Sequence, residues 1–412
     1  MGEMPAQMKP SKAQKPIIAR KPNAIIYAIA NALVSLFLRV AFHLKVDLSA
    51  IRGLEPPYLL LCNHSCNLDF LISAVAMYPQ KLNFMSAALY FQNPLLAWLL
   101  TLMGCFPKRQ FVSDVQSVRN ILRLLKSGAV PVLYPSGQSS FTGMDTLIDP
   151  SISKLLRVAG APVAVLYTDG AHTGFPKWNM KRLRPTRITS KAFQLFTAEE
   201  LDTLDDQTIY RRVVEALAFD DCAWQKKNKI AAKKPRCAEG LEQLLFLCPA
   251  CEKEFTIQAH GSRLSCAHCG YEAKMDEYGT LHTAAKKGFD TATAWYRFER
   301  EYYRGKLSPD FCYKEPVKLF KITKQGKLVP AGEGEALINM AAFEIKGAMD
   351  GEKIHFVIDN SLSGVFPHEK RTCFEVMAEG QLYAVAPENP RAVFKFILLK
   401  EEIFRALRPE AI

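Results

Sequence analysis

Acidic residues are scarce relative to basic ones: 41 Asp and Glu stand against 53 Lys and Arg, a net charge of +12. That sign suits nucleic acid, an anionic membrane surface and acidic substrates alike, so charge alone does not choose among them. The first 21 residues hold one acid, Glu3, against Lys9, Lys12, Lys15, Arg20 and Lys21, with prolines at 5, 10 and 16. This predicts a disordered basic tail over 1–22, either a solvated leader or a contact for anionic lipid. Ala6 stands where a myristoylation signal needs Ser or Thr. No small-residue cleavage site follows the long apolar run near the start, so a signal peptide is not expected. Aromatics are missing from the basic run Lys226 to Arg236, which removes the platforms on which bases stack, and no nucleic-acid partner is expected. Cysteine numbers 11, an odd count, and is spread through apparent core runs as well as one tight cluster. That usage fits a reducing cytosol with a metal site better than a disulfide framework.

What is present is apolar. Of 412 residues 49% are hydrophobic, enough to bury a sizeable core, and the length calls for two or three domains. Ala24 to Phe42 is the most apolar segment. Its polar residues Tyr27, Asn31, Ser35 and Arg39 recur every four positions, which gathers them on one stripe of an otherwise greasy helix. A spanning helix takes about 20 mostly apolar residues, and this run falls just short and contains an arginine. The pattern predicts a helix lying in one leaflet with its stripe turned to headgroups or to the rest of the protein, or else a helix within a core.

From Tyr58 to Phe219 short apolar runs alternate with helical periodicity. Leu59–Cys62, Val130–Tyr134 and Val163–Tyr167 read as buried strands; Asp114–Lys126, Ile152–Ala159 and Thr208–Phe219 read as helices, with Asp114 an N-cap. Such alternation predicts an α/β domain over 23–223, built on a mixed, mostly parallel sheet flanked by helices. Ligands in these sheets gather at the carboxyl ends of strands. His64 stands there, just past Cys62, and Asp69 about one helical turn onward can hold one ring nitrogen while the other takes a proton from a hydroxyl. By itself the pair does not separate a catalytic base from an ordinary hydrogen-bonded histidine.

Four motifs in order carry the reading further. Asn63-His64 with Asp69 is the first and Gly104-Cys105-Phe106-Pro107-Lys108-Arg109 the second. Tyr134-Pro135-Ser136-Gly137-Gln138-Ser139-Ser140 is the third and Gly160-Ala161-Pro162-Val163 the fourth. Over roughly Ala24 to Phe219 they resemble the glycerolipid acyltransferase family, whose type is the 1-acylglycerol-3-phosphate acyltransferase. The resemblance implies an O-acyltransferase of phospholipid biosynthesis or remodelling at the cytoplasmic face of the membrane. It would move a fatty acyl group from a thioester donor, acyl-CoA or acyl-carrier protein, to the hydroxyl of a lysophospholipid or glycerolipid. It also implies His64 as catalytic base, Asp69 as its orienter, Lys108 and Arg109 on the acceptor's phosphate, and Asn63, Ser136, Gly137 and Ser140 against the substrate. Read without the family, Lys108 and Arg109 are also compatible with a solvated basic pair. The third motif departs from its usual Pro-Glu-Gly-x-Arg-Ser: Ser136 and Ser139 occupy the Glu and Arg positions. Two charged contacts are therefore missing, which predicts a weaker hold on phosphate or, as an alternative, an impaired lipid-binding scaffold on the same fold.

Past residue 223 the composition changes. A basic linker is expected over 224–240. Cys248-Pro-Ala-Cys251 and, fourteen residues later, Cys266-Ala-His-Cys269 supply four thiolates at zinc-site spacing, and Phe255 to Leu264 alternates as a hairpin would. Four thiolates leave no position for water, so the expected zinc is structural, in a ribbon over 241–282. A helix is predicted over Thr291–Arg304 within a connector, 283–312. From residue 313 about seven short strands separated by Gly turns precede an amphipathic helix after Pro390. This small β-rich domain with a capping helix, 313–412, resembles a pleckstrin-homology-like module.

Overall fold

The computed structural model describes residues 18–108, 115–179, 184–232, 237–323, 326–368 and 371–409. Three sheets divide it. The largest is built from β1 (Lys45–Ala50), β2 (Leu59–Cys62), β3 (Leu82–Ala87), β4 (Phe106–Lys108), β5 (Val130–Leu133), β6 (Val163–Asp169) and β7 (Thr189–Phe196). Their spatial order is β1-β7-β6-β2-β5-β3-β4, every neighbouring pair parallel except β6 with β7. Helices α1 (Ala24–Phe42), α2 (Asp69–Ala76), α3 (Pro94–Leu102), α4 (Val115–Lys126), α5 (Ile152–Ala159), α6 (Ala171–Gly174), α7 (Ala198–Thr203), α8 (Asp206–Leu217) and α9 (Asp221–Lys227) surround it. The predicted N-cap Asp114 and the phosphate-binding candidate Arg109 lie outside the described residues.

All four residues of β2 are buried, as a central parallel strand covered on both faces requires. Leu60 and Leu61 pair with Val132 and Leu133 of β5, so both strands point the same way and leave the sheet at one edge. That edge carries His64 after β2 and the third motif after β5. Start and stop chemistry is local. Thr197 and Glu200 close a capping box on α7, Asp205 caps α8 through Thr208, and α5 ends on Gly160 at φ 55°, a left-handed position that suits glycine.

Helix α1 spans the predicted residues. Its stripe faces inward at Tyr27 and Asn31, where the Tyr27 hydroxyl accepts from the Leu82 amide at 3.3 Å and the Asn31 amide donates to the Ala74 carbonyl at 2.9 Å. Arg39 turns out to solvent and reaches Ser35 at 3.0 Å. The apolar side therefore points outward, with Ile25, Ile29, Leu33, Leu36 and Val40 each 59–72% exposed. This excludes the core-helix alternative.

The stretch expected as a linker is built into the structure instead. It opens in α9, whose Gln225 is buried and bonds the carbonyls of Ile230 and Glu277, and Ile230, Ala232, Cys237 and Ala238 are buried beyond it. Lys227 and Lys229 are exposed while its described apolar residues pack, so a count of charge alone misreads it. Four antiparallel strands follow: β8 (Ile257–His260), β9 (Arg263–Cys266), β10 (Glu272–Met275) and β11 (Leu281–His282). Helix α10 (Ala292–Arg304) leads into β12 (Cys312–Ile322), β13 (Leu328–Asn339), β14 (Ala342–Met349), β15 (Glu352–Asp359), β16 (Phe374–Ala378) and β17 (Gln381–Pro387), then α11 (Ala392–Leu407). These six strands, where about seven were expected, form one antiparallel sheet ordered β15-β14-β13-β12-β17-β16. Phe343, Phe374 and Phe396 knit this sheet to α11.

The four-stranded sheet, the last sheet and α11 share one apolar core, and that core includes Phe141 and Met144 of the first domain. Phe141 stacks on Phe394 of α11 at 4.5 Å and on His368 at 5.4 Å. The C-terminal half thus rests on the segment that follows the third motif.

Candidate active site and the four-cysteine centre

His64 and Asp69 come together through a tight exit from β2. Asp69 occupies the first turn of α2, where a carboxylate is favoured, and its Oδ2 lies 2.8 Å from Nδ1 of His64. The Cys66 amide donates to the same carboxylate at 2.9 Å and the Ser65 hydroxyl at 3.2 Å. Asp69 is buried while the His64 side chain keeps 21% of its surface. A carboxylate fixed on one ring nitrogen leaves Nε2 as the basic, outward one. Beneath the ring lies Tyr134, centroids 4.5 Å apart, and the Tyr134 hydroxyl is 3.0 Å from Ser73 on α2. Burial pushes the Tyr134 phenol well above its ordinary value, so it remains a neutral support.

The third motif is bound to the first. The amide of Ser140 donates to the His64 carbonyl at 2.8 Å, and the Ser139 hydroxyl donates to Asn67 at 2.6 Å. Ser140 Oγ donates to the Met144 carbonyl and accepts from Gly143. It is fully buried, so its expected contact with substrate gives way to a role in folding the loop. Asn63 is corrected in the same way: its side chain donates to the Thr168 carbonyl and accepts from the Thr168 amide, both at 2.8 Å, which uses up its outward groups and pins β2 to the end of β6. Ser136 stays at the surface of the site, its hydroxyl turned to the Gln138 carbonyl at 3.0 Å. Gly137 sits at φ 70° in the turn with open space around its Cα, leaving backbone free to be approached. Lys108 lies partly exposed on β4, three strands from β2 and at the sheet's far edge.

Behind the dyad His172 is buried, its Nδ1 donating to the Ser65 carbonyl at 3.0 Å, and burial lowers it to about 4. It is a neutral prop under the turn that carries His64. The sequence contains no local sign of this, since Ser65 and His172 meet only through the fold. The buried Lys177 likewise donates to the Ser139 carbonyl at 3.0 Å.

The four cysteines converge. Their sulfurs all lie within 4.8 Å of one another, with Cys248 to Cys269 at 3.7 Å and Cys251 to Cys266 at 3.8 Å. Zinc–thiolate bonds of about 2.3 Å give a tetrahedron with edges of about 3.8 Å, so the donor set fits that ion. Gly270 at φ 72° supplies the turn after the second pair, and Thr256 Oγ stands 3.1 Å from the Cys266 sulfur.

The dyad, the carboxyl ends of β2 and β5 and the clamped third motif fall in or beside a segment that resembles known proteins. Residues 39–167 match the acyltransferase family model. Over 192 residues the chain is 28% identical to the 1-acyl-sn-glycerol-3-phosphate acyltransferase of Bacillus subtilis (strain 168), covering 45% of this chain and 94% of that one. The crystal structure of the 1-acyl-sn-glycerophosphate acyltransferase from Thermotoga maritima aligns with 46% of this chain and 78% of its own, at 15% identity and a TM-score of 0.38.

Proposed function

We propose that the protein is a membrane-associated O-acyltransferase that moves a fatty acyl group from a thioester donor to a hydroxyl of a lysophospholipid or glycerolipid. The observation that carries this is the His64–Asp69 contact at 2.8 Å, presented at a strand's carboxyl end within the matched segment. His64 Nε2 takes the acceptor's O–H proton as the oxygen attacks the thioester carbonyl; the C–S bond breaks, and the imidazolium returns its proton to the departing thiolate. Asp69 keeps the proton on Nδ1 and steadies the imidazolium. The resemblance gives Lys108 and Arg109 to an acceptor's phosphate, and the acceptor panel below decides whether that phosphate is used.

Helix α1 supports the membrane reading: by length and composition it could cross a bilayer, yet its polar stripe is anchored to the domain. Helix α3 adds exposed Leu95, Trp98 and Leu99, and the Asn23 amide, which precedes α1, donates to the Leu102 carbonyl at the end of α3. Two such faces suit a helix pair seated in one leaflet, at an anionic cytoplasmic surface. Zinc is proposed for the four cysteines, as a closed structural centre. The last sheet with α11 is proposed to be a pleckstrin-homology-like module.

The test is acyl transfer by purified protein from labelled acyl-CoA and acyl-carrier protein to a lysolipid panel, together with vesicle flotation of wild type and Leu33→Asp/Leu36→Asp. Transfer that His64→Ala abolishes, and flotation that the double variant weakens, are expected. The scaffold alternative draws on Ser136 and Ser139, and binding of lysolipid with no transfer at all would select it.

A further inference from the structure

Two recesses meet on the segment after the third motif. The first lies against His64 and has Ser136, Asp145, Thr146, Leu217 and Phe219 in its wall. The second opens between that segment and the C-terminal half, again with Asp145 and Thr146, and with Arg300, His368 and Glu401 across from them. Asp145 and Thr146 form the shared wall. In the first recess, among the described residues, the acidic side chain is that of Asp145, and no Lys or Arg lines it.

The second recess repeats the pattern with independent groups. Its cation is committed: Arg300 reaches Glu402 at 2.5 Å and Glu401 at 3.5 Å. His368 is 7% exposed, and its Nδ1 lies 3.0 Å from the Phe366 carbonyl, so that nitrogen carries the hydrogen and Nε2 a lone pair. Nε2 has no hydrogen-bond partner among the described residues. Burial raises the Glu401 carboxyl, Arg300 and Arg405 oppose this, and the nearby Asp145 charge adds to it. Asp145, Glu401 and His368 thus line this second recess, Glu401 tied to Arg300 and His368 Nε2 an acceptor with no partner among the described residues. Such a surface wants hydrogen-bond donors. A phosphomonoester brings only negative charge and acceptor oxygens at neutral pH.

We propose that Asp145 is a specificity-determining residue: it keeps a phosphomonoester out of the recess beside His64 and receives a hydroxyl or ammonium of a non-anionic acceptor head group. The proposal rests on the acyl-transfer reading above and narrows its acceptor class. It also gives the lost Glu and Arg of the third motif a consequence, since the carboxylate now present nine residues past Ser136 carries no neighbouring cation in that recess.

The experiment uses the full chain, one acyl-CoA, and two acceptors with the same acyl chain, monoacylglycerol and lysophosphatidic acid. Wild type is expected to favour monoacylglycerol in kcat/KM. Like charges brought together in a partly buried recess disfavour binding by about tenfold to hundredfold, so Asp145→Asn and Asp145→Ser should each move the ratio toward lysophosphatidic acid by that factor. His64→Ala protein, titrated calorimetrically with short-chain forms of both acceptors, gives the same ratio without turnover, and the shift is expected again in His64→Ala/Asp145→Asn. A ratio that moves less than threefold in both Asp145 variants, by rate and by calorimetry, overturns the proposal. No transfer to either acceptor with a calorimetric ratio that still moves would remove the acyl-transfer reading and leave the Asp145 assignment standing.

Discussion

Helices α1 and α11 invert the usual relation between composition and burial. Apart from Arg39, α1 carries no charge, yet most of its surface faces outward; α11 carries Lys395, Lys400, Glu401 and Glu402, and all four are buried. The difference lies in what each helix meets. In α11 every buried charge has a partner: Lys395 reaches Glu254 at 2.6 Å and lies 3.5 Å from the Tyr313 ring, Lys400 reaches Asn360 at 2.8 Å, and Glu402 takes Arg300 and Arg304. In α1 the outward face finds no protein to cover it among the described residues. Charge buried with partners specifies architecture, whereas apolar surface left bare points to a non-aqueous neighbour. The two halves differ in the same sense: the first leaves His64 of its dyad partly exposed, and the second buries the charges of α11.

If that division holds, variants in the C-terminal half change stability and variants at the dyad change rate. Metal removal is the largest expected effect. Apparent binding free energies of structural zinc reach about 10 kcal/mol or more, so, with zinc proposed for the four cysteines, Cys248→Ser or chelation should remove the cooperative unfolding of strands β8–β11 and the sheet packed with them. Elemental analysis finding about one zinc per chain in wild type, and calorimetry of the variant, check this; an unchanged melting transition would break the comparison.

His64→Ala should cost about 10² to 10⁴ in kcat with the melting temperature unmoved, and Asp69→Asn nearly as much, because the wrong nitrogen is then protonated. Purified His64→Ala turning over at the wild-type rate would place the chemistry elsewhere. Removing one partner of a buried ion pair typically costs 3–5 kcal/mol, so Glu402→Leu should lower stability by about that amount while kcat changes far less. Urea unfolding and steady-state kinetics on the same preparation separate the two.

Smallest per unit of change is a pH dependence seated where the halves meet. Burial lowers both His172 and His368 to about 4, and the buried Lys177 lies near each, adding to the shift. The unfolded chain protonates these rings below about 6.5 while the folded protein keeps them neutral. Stability is therefore complete above that pH and falls as pH drops toward 4, by about 1.4 kcal/mol per unit for each ring. His368→Phe, which keeps the stack on Phe141, should remove roughly half of this slope; denaturant unfolding at several pH values measures it.

Short-range patterns were legible in the sequence. The spacing of His64 and Asp69, the two Cys-x-x-Cys pairs, the four-residue stripe of α1 and the buried runs of β2, β5 and β6 are each readable within about twenty residues. β1, β3, β4 and β7 escaped, because edge or half-exposed strands carry no continuous apolar run. Asn63 and Ser140 were placed against substrate by their motifs, and the fold spends both on backbone instead.

The sequence alone determined the groups available: a histidine with a carboxylate about one turn away, four cysteines at zinc-site spacing, an apolar helix with a single polar stripe. Periodicity and local spacing decide these, since helix and turn geometry hold wherever the segment is put. Only the tertiary structure decided which groups meet across long separations: Asn63 with Thr168, Ser65 with His172, Phe141 with His368 and Phe394, and Asp145 with the recess beside His64. Such meetings are chosen by burying the most apolar surface with every buried polar group paired, a condition on the whole chain that no local stretch contains.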